Sequence, residues 1–205
     1  MGYKEDLRKT YNKIAENWNQ DHLKDDWWIE GTNKFIELVG GGKKVLDIGC
    51  GAALKSKLMV GKDLKVVGID ISEKMVELAQ KTVPRGKFLV MDMEKIKLDE
   101  KFDGEYAQAC LLHIPKKKAP EIIKKWVDLL KPKGYIYIAV KESNKGIDEE
   151  IVKENDYGYE YERFFSYYTE DEIEKYIKEA GLEVVYSTIT FSGKTNWIQV
   201  VGRKI

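Results

Sequence analysis

The chain has 205 residues, 43% of them hydrophobic, and 35 basic residues balance 35 acidic ones. That length suits one ordinary domain with its own core, and a net charge of zero argues against wrapping a nucleic-acid backbone, which calls for a basic excess or stripe. Cys50 and Cys110 are too few for a disulfide framework and sit in no metal-ligand spacing, no stretch reaches the ~18 apolar residues of a membrane span, and the N-terminus lacks an apolar signal region. The expectations are a cytoplasmic protein, monomeric or homodimeric, with no metal, membrane or nucleic-acid partner. Lys116-Lys117-Lys118, the only dense basic run, reads as a solvated helix start.

In chain order, Asp6 to about Asn19 places Leu7, Tyr11, Ile14, Ala15 and Trp18 at helical spacing. A second helix carries Phe35, Ile36, Leu38 and Val39 and ends at Gly40-Gly41-Gly42, residues suited to a left-handed cap. Val45–Ile48 reads as a buried strand, followed by a glycine turn and a helix over about 53–60. Lys65–Ile69 is the next strand, and Ser72 caps a helix with Met75, Val76, Leu78 and Ala79 on its apolar face. Phe88–Met91 and Phe102–Cys110 make two more strands. A helix bearing Ile122, Ile123, Trp126, Val127, Leu129 and Leu130 stops at Lys131-Pro132-Lys133-Gly134, and Tyr135–Val140 is the fifth strand. Thr169-Glu170-Asp171-Glu172 is a capping box for a helix that ends at Gly181. Leu182–Phe191 and Thr195–Val201 are joined by so short a loop that they must be antiparallel. The rhythm implies a doubly wound α/β fold: a mostly parallel, seven-stranded sheet with helices on both faces and a C-terminal antiparallel hairpin.

Ligands of such sheets bind beyond the carboxyl ends of the strands, so the residues just past each strand carry the chemistry. After the first comes Asp47-Ile48-Gly49-Cys50-Gly51-Ala52-Ala53; its glycines permit a tight turn and close approach of backbone to a ligand. After the second comes Asp70, followed by Ile71; a carboxylate there can accept both hydroxyls of a ribose. After the third comes Asp92, between Met91 and Met93, placed to accept from an adenine amino group while the methionines sandwich the ring. Each has a plainer reading: turn formation for the glycines, a helix N-terminal acid for Asp70, an Asx turn for Asp92. A nicotinamide cofactor wants a third glycine where this chain has Leu54, and Asp47 beside the turn disfavours a pyrophosphate while suiting an ammonium or sulfonium. The balance favours S-adenosylmethionine.

These residues resemble the class I S-adenosylmethionine-dependent methyltransferase family, small-molecule branch. Val45-Leu46-Asp47-Ile48-Gly49-Cys50-Gly51 resembles its first motif, Val67–Ser72 its ribose motif, and Met91-Asp92-Met93 its adenine motif. Leu111-Leu112-His113-Ile114-Pro115 and Leu129–Gly134 resemble later motifs. Ala53 and Lys133 depart from it, each standing where a glycine is usual. The resemblance implies that Asp47, Gly49, Cys50 and Gly51 meet the methionine part, Asp70 and Ile71 the ribose, and Asp92 and Met93 the adenine. It further implies that Gln108 and Leu111 floor the site beneath the reactive methyl and that Tyr11 covers the cofactor. S-adenosylhomocysteine would be the product.

Methyl transfer needs a base only if the acceptor is protonated. His113, just past the fourth strand, has an ordinary pKa suited to that role; the plainer reading is a capping or hydrogen-bonding histidine. His22 reads as structural. The chain lacks the Asn/Asp-Pro-Pro-aromatic motif of adenine and glutamine methylases, having Gln108-Ala109-Cys110-Leu111 there, and the Pro-Cys of cytosine methylases, which leaves an O, N or S nucleophile of a small molecule. The expected organisation is a single domain over 1–205: an N-terminal helical lid over 1–34 with Trp18, Trp27 and Trp28, a cofactor core over 43–140, and a substrate-side insertion over 142–163. That insertion is acidic and tyrosine-rich, suited to a cationic or aromatic acceptor or to a solvated linker with packing tyrosines. A non-catalytic cofactor-binding or partner-docking protein and an NAD-dependent oxidoreductase are the rival readings.

Overall fold

Short apolar runs bounded by glycine turns and charged helices decide the architecture, which a computed structural model describes for residues 3–143 and 146–205. Strands β1 (Lys44–Ile48), β2 (Lys65–Asp70), β3 (Lys87–Val90), β4 (Phe102–Gln108) and β5 (Leu130–Lys141) are parallel to one another. Strands β8 (Leu182–Ser192) and β9 (Thr195–Lys204) close one edge as an antiparallel hairpin, giving a seven-stranded sheet in the order β3-β2-β1-β4-β5-β9-β8. This is the doubly wound sheet that the sequence implies. The order reverses at β1 and β4, so the crevice between their carboxyl ends is where a ligand belongs.

β1 is buried on both faces from Val45 to Ile48, with Asp47 a buried acid among the apolar residues. Helices α2 (Ile29–Val39) and α3 (Leu54–Gly61) cover one face through Phe35, Ile36 and Met59. Helices α5 (Ala119–Val127) and α6 (Glu170–Glu179) cover the other through Ile122, Ile123, Trp126, Ile173 and Ile177. Gly40, at φ +81, ends α2, and Thr169 and Glu172 form the capping box of α6. Helix α4 (Glu73–Thr82) starts at Ser72, whose hydroxyl accepts from the Met75 N–H.

Two elements differ from expectation. The fifth helix ends at Val127 and Leu130 already pairs with Phe102, so β5 begins five residues earlier than its apolar run; Lys133 adopts φ +64 within it. The insertion is a separate two-stranded hairpin rather than a linker, β6 (Glu149–Glu154) against β7 (Tyr161–Ser166). Its tyrosines do pack: Tyr157 and Tyr161 stack at 5.7 Å, and the Tyr159 hydroxyl donates to the Lys13 carbonyl. Residues 144 and 145 of the insertion, like residues 1 and 2 of the N-terminal segment, lie outside the described residues.

Helix α1 (Tyr3–Asp21) packs between this hairpin and α4. Arg8 and Asn12 bind Glu73 on α4, and the Thr10 hydroxyl donates to the Glu162 carbonyl on β7. Among the described residues no helix is long and apolar enough to cross a membrane. Lys116 of the basic run pairs with Asp148 and Glu172, inside the fold's own charge pattern.

Candidate active site

The turn after β1 is built from left-handed backbone: Gly49 at φ +68, Gly51 at φ +52 and Ala53 at φ +63. A Cβ on Gly49 would stand 2.4 Å from Cβ of Cys110, so only glycine lets the turn pass under the β4 loop. Ala53 holds a conformation that costs an L residue ~1–2 kcal/mol. Its methyl is fully buried against Cys50, Ala79, Val83 and Phe88, which offsets that cost and keeps the loop's shape without the usual glycine.

Asp70 ends β2 and ties the turn to the sheet. Its Oδ2 accepts the Gly51 N–H and its Oδ1 the Ser72 N–H, both at 2.9 Å. Each carboxylate oxygen has a second lone pair, and the group lines the cavity, so two further donors can be held there. Burial raises its pKa against those bonds. Asp47 is 3% exposed and accepts from the Ser56 hydroxyl; burial carries its pKa up to about 7, opposed by that bond and by the Lys55 charge. Asp92 closes the Asx turn of its plainer reading, accepting the Glu94 N–H at 2.9 Å, and also binds the Lys4 ammonium at 2.8 Å.

The opposite end of the crevice is made by residues far apart in sequence. His113 is buried in a single 3-10 turn, Leu111–His113. Its Nδ1 lies 2.8 Å from the Phe164 carbonyl, which fixes the proton on Nδ1, and Nε2 then accepts from the Tyr11 hydroxyl at 2.7 Å. Burial pushes the imidazole pKa down to about 3, with the charges of Arg163 and Lys141 adding to the fall. The ordinary pKa expected for this histidine is therefore corrected: it is neutral at neutral pH, and both nitrogens are engaged. Arg163 binds Glu154 through two parallel contacts and reaches Tyr11 at 3.5 Å. Lys141, the last residue of β5, places Nζ 4.0 Å from the centre of the Phe165 ring. Burial, then Arg163, lowers its pKa to about 8.

These two ends enclose one cavity of about 350 Å³ at the switch point, within the range of small-molecule sites. Tyr11, Asp47, Gly49, Cys50, Gly51, Asp70, Ile71, Asp92, Met93, Gln108 and His113 all line it. Leu111 does not. The 3-10 turn rotates it into the core with Ile122 and Ile138, and Leu112 takes its place on the wall. Trp18 and Trp27 line the cavity, whereas Trp28 packs beneath the face with Lys55 5.1 Å above its ring. His22 stacks on Trp18 at 4.1 Å and also reaches the wall. Cys50 and Cys110 are free thiols whose pKa values burial raises, which makes neither a poised nucleophile. Reading the sequence missed Lys4, Lys55, Lys141, Arg163 and Trp197.

A sheet in this order, with a glycine turn after β1 and an acid at or just past the carboxyl end of each of the first three strands, is the class I methyltransferase architecture. Residues 45–134 match the family described as a methyltransferase domain. It is 30% identical over 134 residues to a ubiquinone biosynthesis O-methyltransferase of Pelagibacter ubique, covering 63% of this chain and 53% of that protein. It is 36% identical over 119 residues to a phosphoethanolamine N-methyltransferase of Triticum aestivum, covering 54% of this chain and 23% of that one. The chain thus spans less than two thirds of the length of these relatives. Among solved structures it is similar in fold to a 1,6-didemethyltoxoflavin-N1-methyltransferase of Burkholderia thailandensis with bound 1,6-didemethyltoxoflavin and S-adenosylhomocysteine. That likeness has a TM-score of 0.79 at 19% identity, over 98% of this chain and 88% of that one. A magnesium protoporphyrin IX methyltransferase of Synechocystis with bound S-adenosylmethionine aligns with a TM-score of 0.76 at 18% identity, over 100% and 98%.

Proposed function

We propose that this chain is an S-adenosylmethionine-dependent methyltransferase acting on an O, N or S nucleophile of a small molecule. The observation that carries the reading is the Asp70 carboxylate, fixed by two backbone N–H groups at the cavity wall with lone pairs left for a ribose diol. The donor set fits the cofactor. Gly49, Gly51, Cys50 and the buried Asp47 hold the methionine end, with Asp47 and Lys55 offering opposite charges to its zwitterion. Ile71 walls the ribose, Asp92 and Met93 take the adenine, and Gln108 floors the site.

When bound, S-adenosylmethionine supplies an activated methyl group for in-line displacement. The chain's own part is to align the reacting groups and exclude water. Residues 43–140 carry the cofactor, the first 34 residues form its cover, and residues 142–163 shape the acceptor side. Tyr11 closes the cover by donating to His113, so that histidine is a positioning residue: it holds Tyr11 over the cavity while Phe164 holds it. Titration calorimetry with S-adenosylhomocysteine and NADH tests the cofactor; only the first should bind. Incubation with a metabolite pool should then yield S-adenosylhomocysteine and a methylated product by mass spectrometry. Absence of S-adenosylhomocysteine from every such incubation would overturn the reading.

A further inference from the structure

The charges around the acceptor end of the cavity are unequal. Lys141 and Arg163 both line it, and the acids closest in field, Glu150 and Glu154, are already engaged. Glu154 is committed to the Arg163 guanidinium through both oxygens, and Glu150 accepts from the Tyr167 hydroxyl at 2.6 Å. His113 is neutral and bound on both nitrogens. Among the described residues, no carboxylate lies within ion-pair distance of Lys141. Its ammonium instead sits 4.0 Å from the centre of Phe165 and 5.9 Å from that of Trp197, and both rings line the same cavity. A half-buried cation with only ring faces for company has lost water without gaining a counter-charge, and a ligand that brings an anion supplies one.

Resting on the methyltransferase reading, we infer that the methyl acceptor is an anion whose carboxylate or phosphate oxygens lie against Lys141 between Phe165 and Trp197. The acidic, tyrosine-rich insertion left a cationic or aromatic acceptor, or a solvated linker, open; its nearest acids are held by Arg163 and Tyr167, and the charge turned toward the cavity is positive. Lys141 also stands opposite Trp197 in the β5–β9 register, so the strand pairing itself fixes cation and ring together.

The test is calorimetry with benzoate, phenyl phosphate and benzylamine, with and without saturating S-adenosylhomocysteine. At least one of the two anions should bind the wild-type protein and benzylamine should not; which one binds separates carboxylate from phosphate. Near pH 8 the binding should take up protons, seen as a heat that changes with the ionisation enthalpy of the buffer. Lys141→Met should weaken the anion at least tenfold, Lys141→Arg should retain it within a few-fold, and both should bind S-adenosylhomocysteine as wild type does. Benzylamine binding as tightly as the anions, no binding of either anion, or an unchanged affinity in Lys141→Met would each overturn the inference. Failure of the wild-type protein to bind S-adenosylhomocysteine would instead defeat the cofactor reading, and the titrations without it still decide the charge preference.

Discussion

The two ends of the cavity are made differently. At the adenosine end, Asp47 and Asp70 lie at the carboxyl ends of short strands and Asp92 just past one, and the backbone N–H groups of Gly51, Ser72 and Glu94 hold Asp70 and Asp92. At the acceptor end, Tyr11, His113, Lys141, Arg163 and Trp197 come from five separate elements, held by contacts that span tens of residues. The first end gathers the acids at the strand ends, with Lys4 and Lys55 beside Asp92 and Asp47; the second carries Lys141 and Arg163 and depends on α1 and the β6–β7 hairpin being in place. On the proposed reading, local geometry serves the cofactor and long-range packing serves the acceptor.

The comparison breaks most sharply at Asp70. Asp70→Ala removes the tether of the glycine turn and the proposed ribose contacts together. At ~1.5–3 kcal/mol for each hydrogen bond to a charged group, S-adenosylhomocysteine should bind at least about a hundredfold more weakly by calorimetry. An affinity equal to wild type would remove Asp70 from the cofactor site. On the other side, His113→Gln should lower turnover by about ten- to a hundredfold through loss of alignment, while S-adenosylhomocysteine affinity stays within a few-fold. Collapse of cofactor affinity in that variant would join the two ends into one unit.

The pH dependence of stability should also run in opposite directions at the two ends. Asp47, raised by burial to about 7, binds a proton more tightly when folded, so its contribution to stability falls as pH rises from about 4 to about 7. His113, lowered by burial to about 3, releases its proton on folding, so stability is lost as pH falls from about 6.5 toward 3. Melting curves across pH should show Asp47→Asn flattening the first trend and His113→Gln the second; identical profiles in variant and wild type would refute the assignment. The smallest effect expected is in dynamics. Saturating S-adenosylhomocysteine should slow hydrogen exchange over residues 3–30, and unchanged exchange there would leave α1 a static cap.

This contrast also explains what the sequence could disclose. Three acids and two glycines at successive strand ends were legible because a strand's end and the turn after it are set by adjacent residues. The same rule, applied to cations, would have found Lys141, which closes the buried run Ile136–Val140 at its carboxyl end. Leu111 was misplaced because neighbouring positions differ only by the rotation of one 3-10 turn, and no periodicity accumulates over three residues. The burial of His113 was hidden for another reason: it comes from Tyr11 and Phe164, 102 and 51 residues away. The pairing of Arg163 with Glu154 required knowing that the insertion folds as a hairpin.

The clasp that seats α1 has an evolutionary side. Thr10 donates to the carbonyl of Glu162, Lys13 to that of Glu160, and His113 to that of Phe164. A carbonyl is present whatever residue occupies the position. Apart from Tyr159 and Arg163, whose side chains themselves bind α1, side chains along the β6–β7 hairpin are therefore free to drift, within the limits of strand pairing, without unseating the helix that covers the cavity. A lineage or a selection experiment could recut the acceptor pocket through residues such as Phe165 while the cover and the cofactor grip stay as they are. The hairpin is the part of this molecule best suited to acquiring a new substrate by small steps.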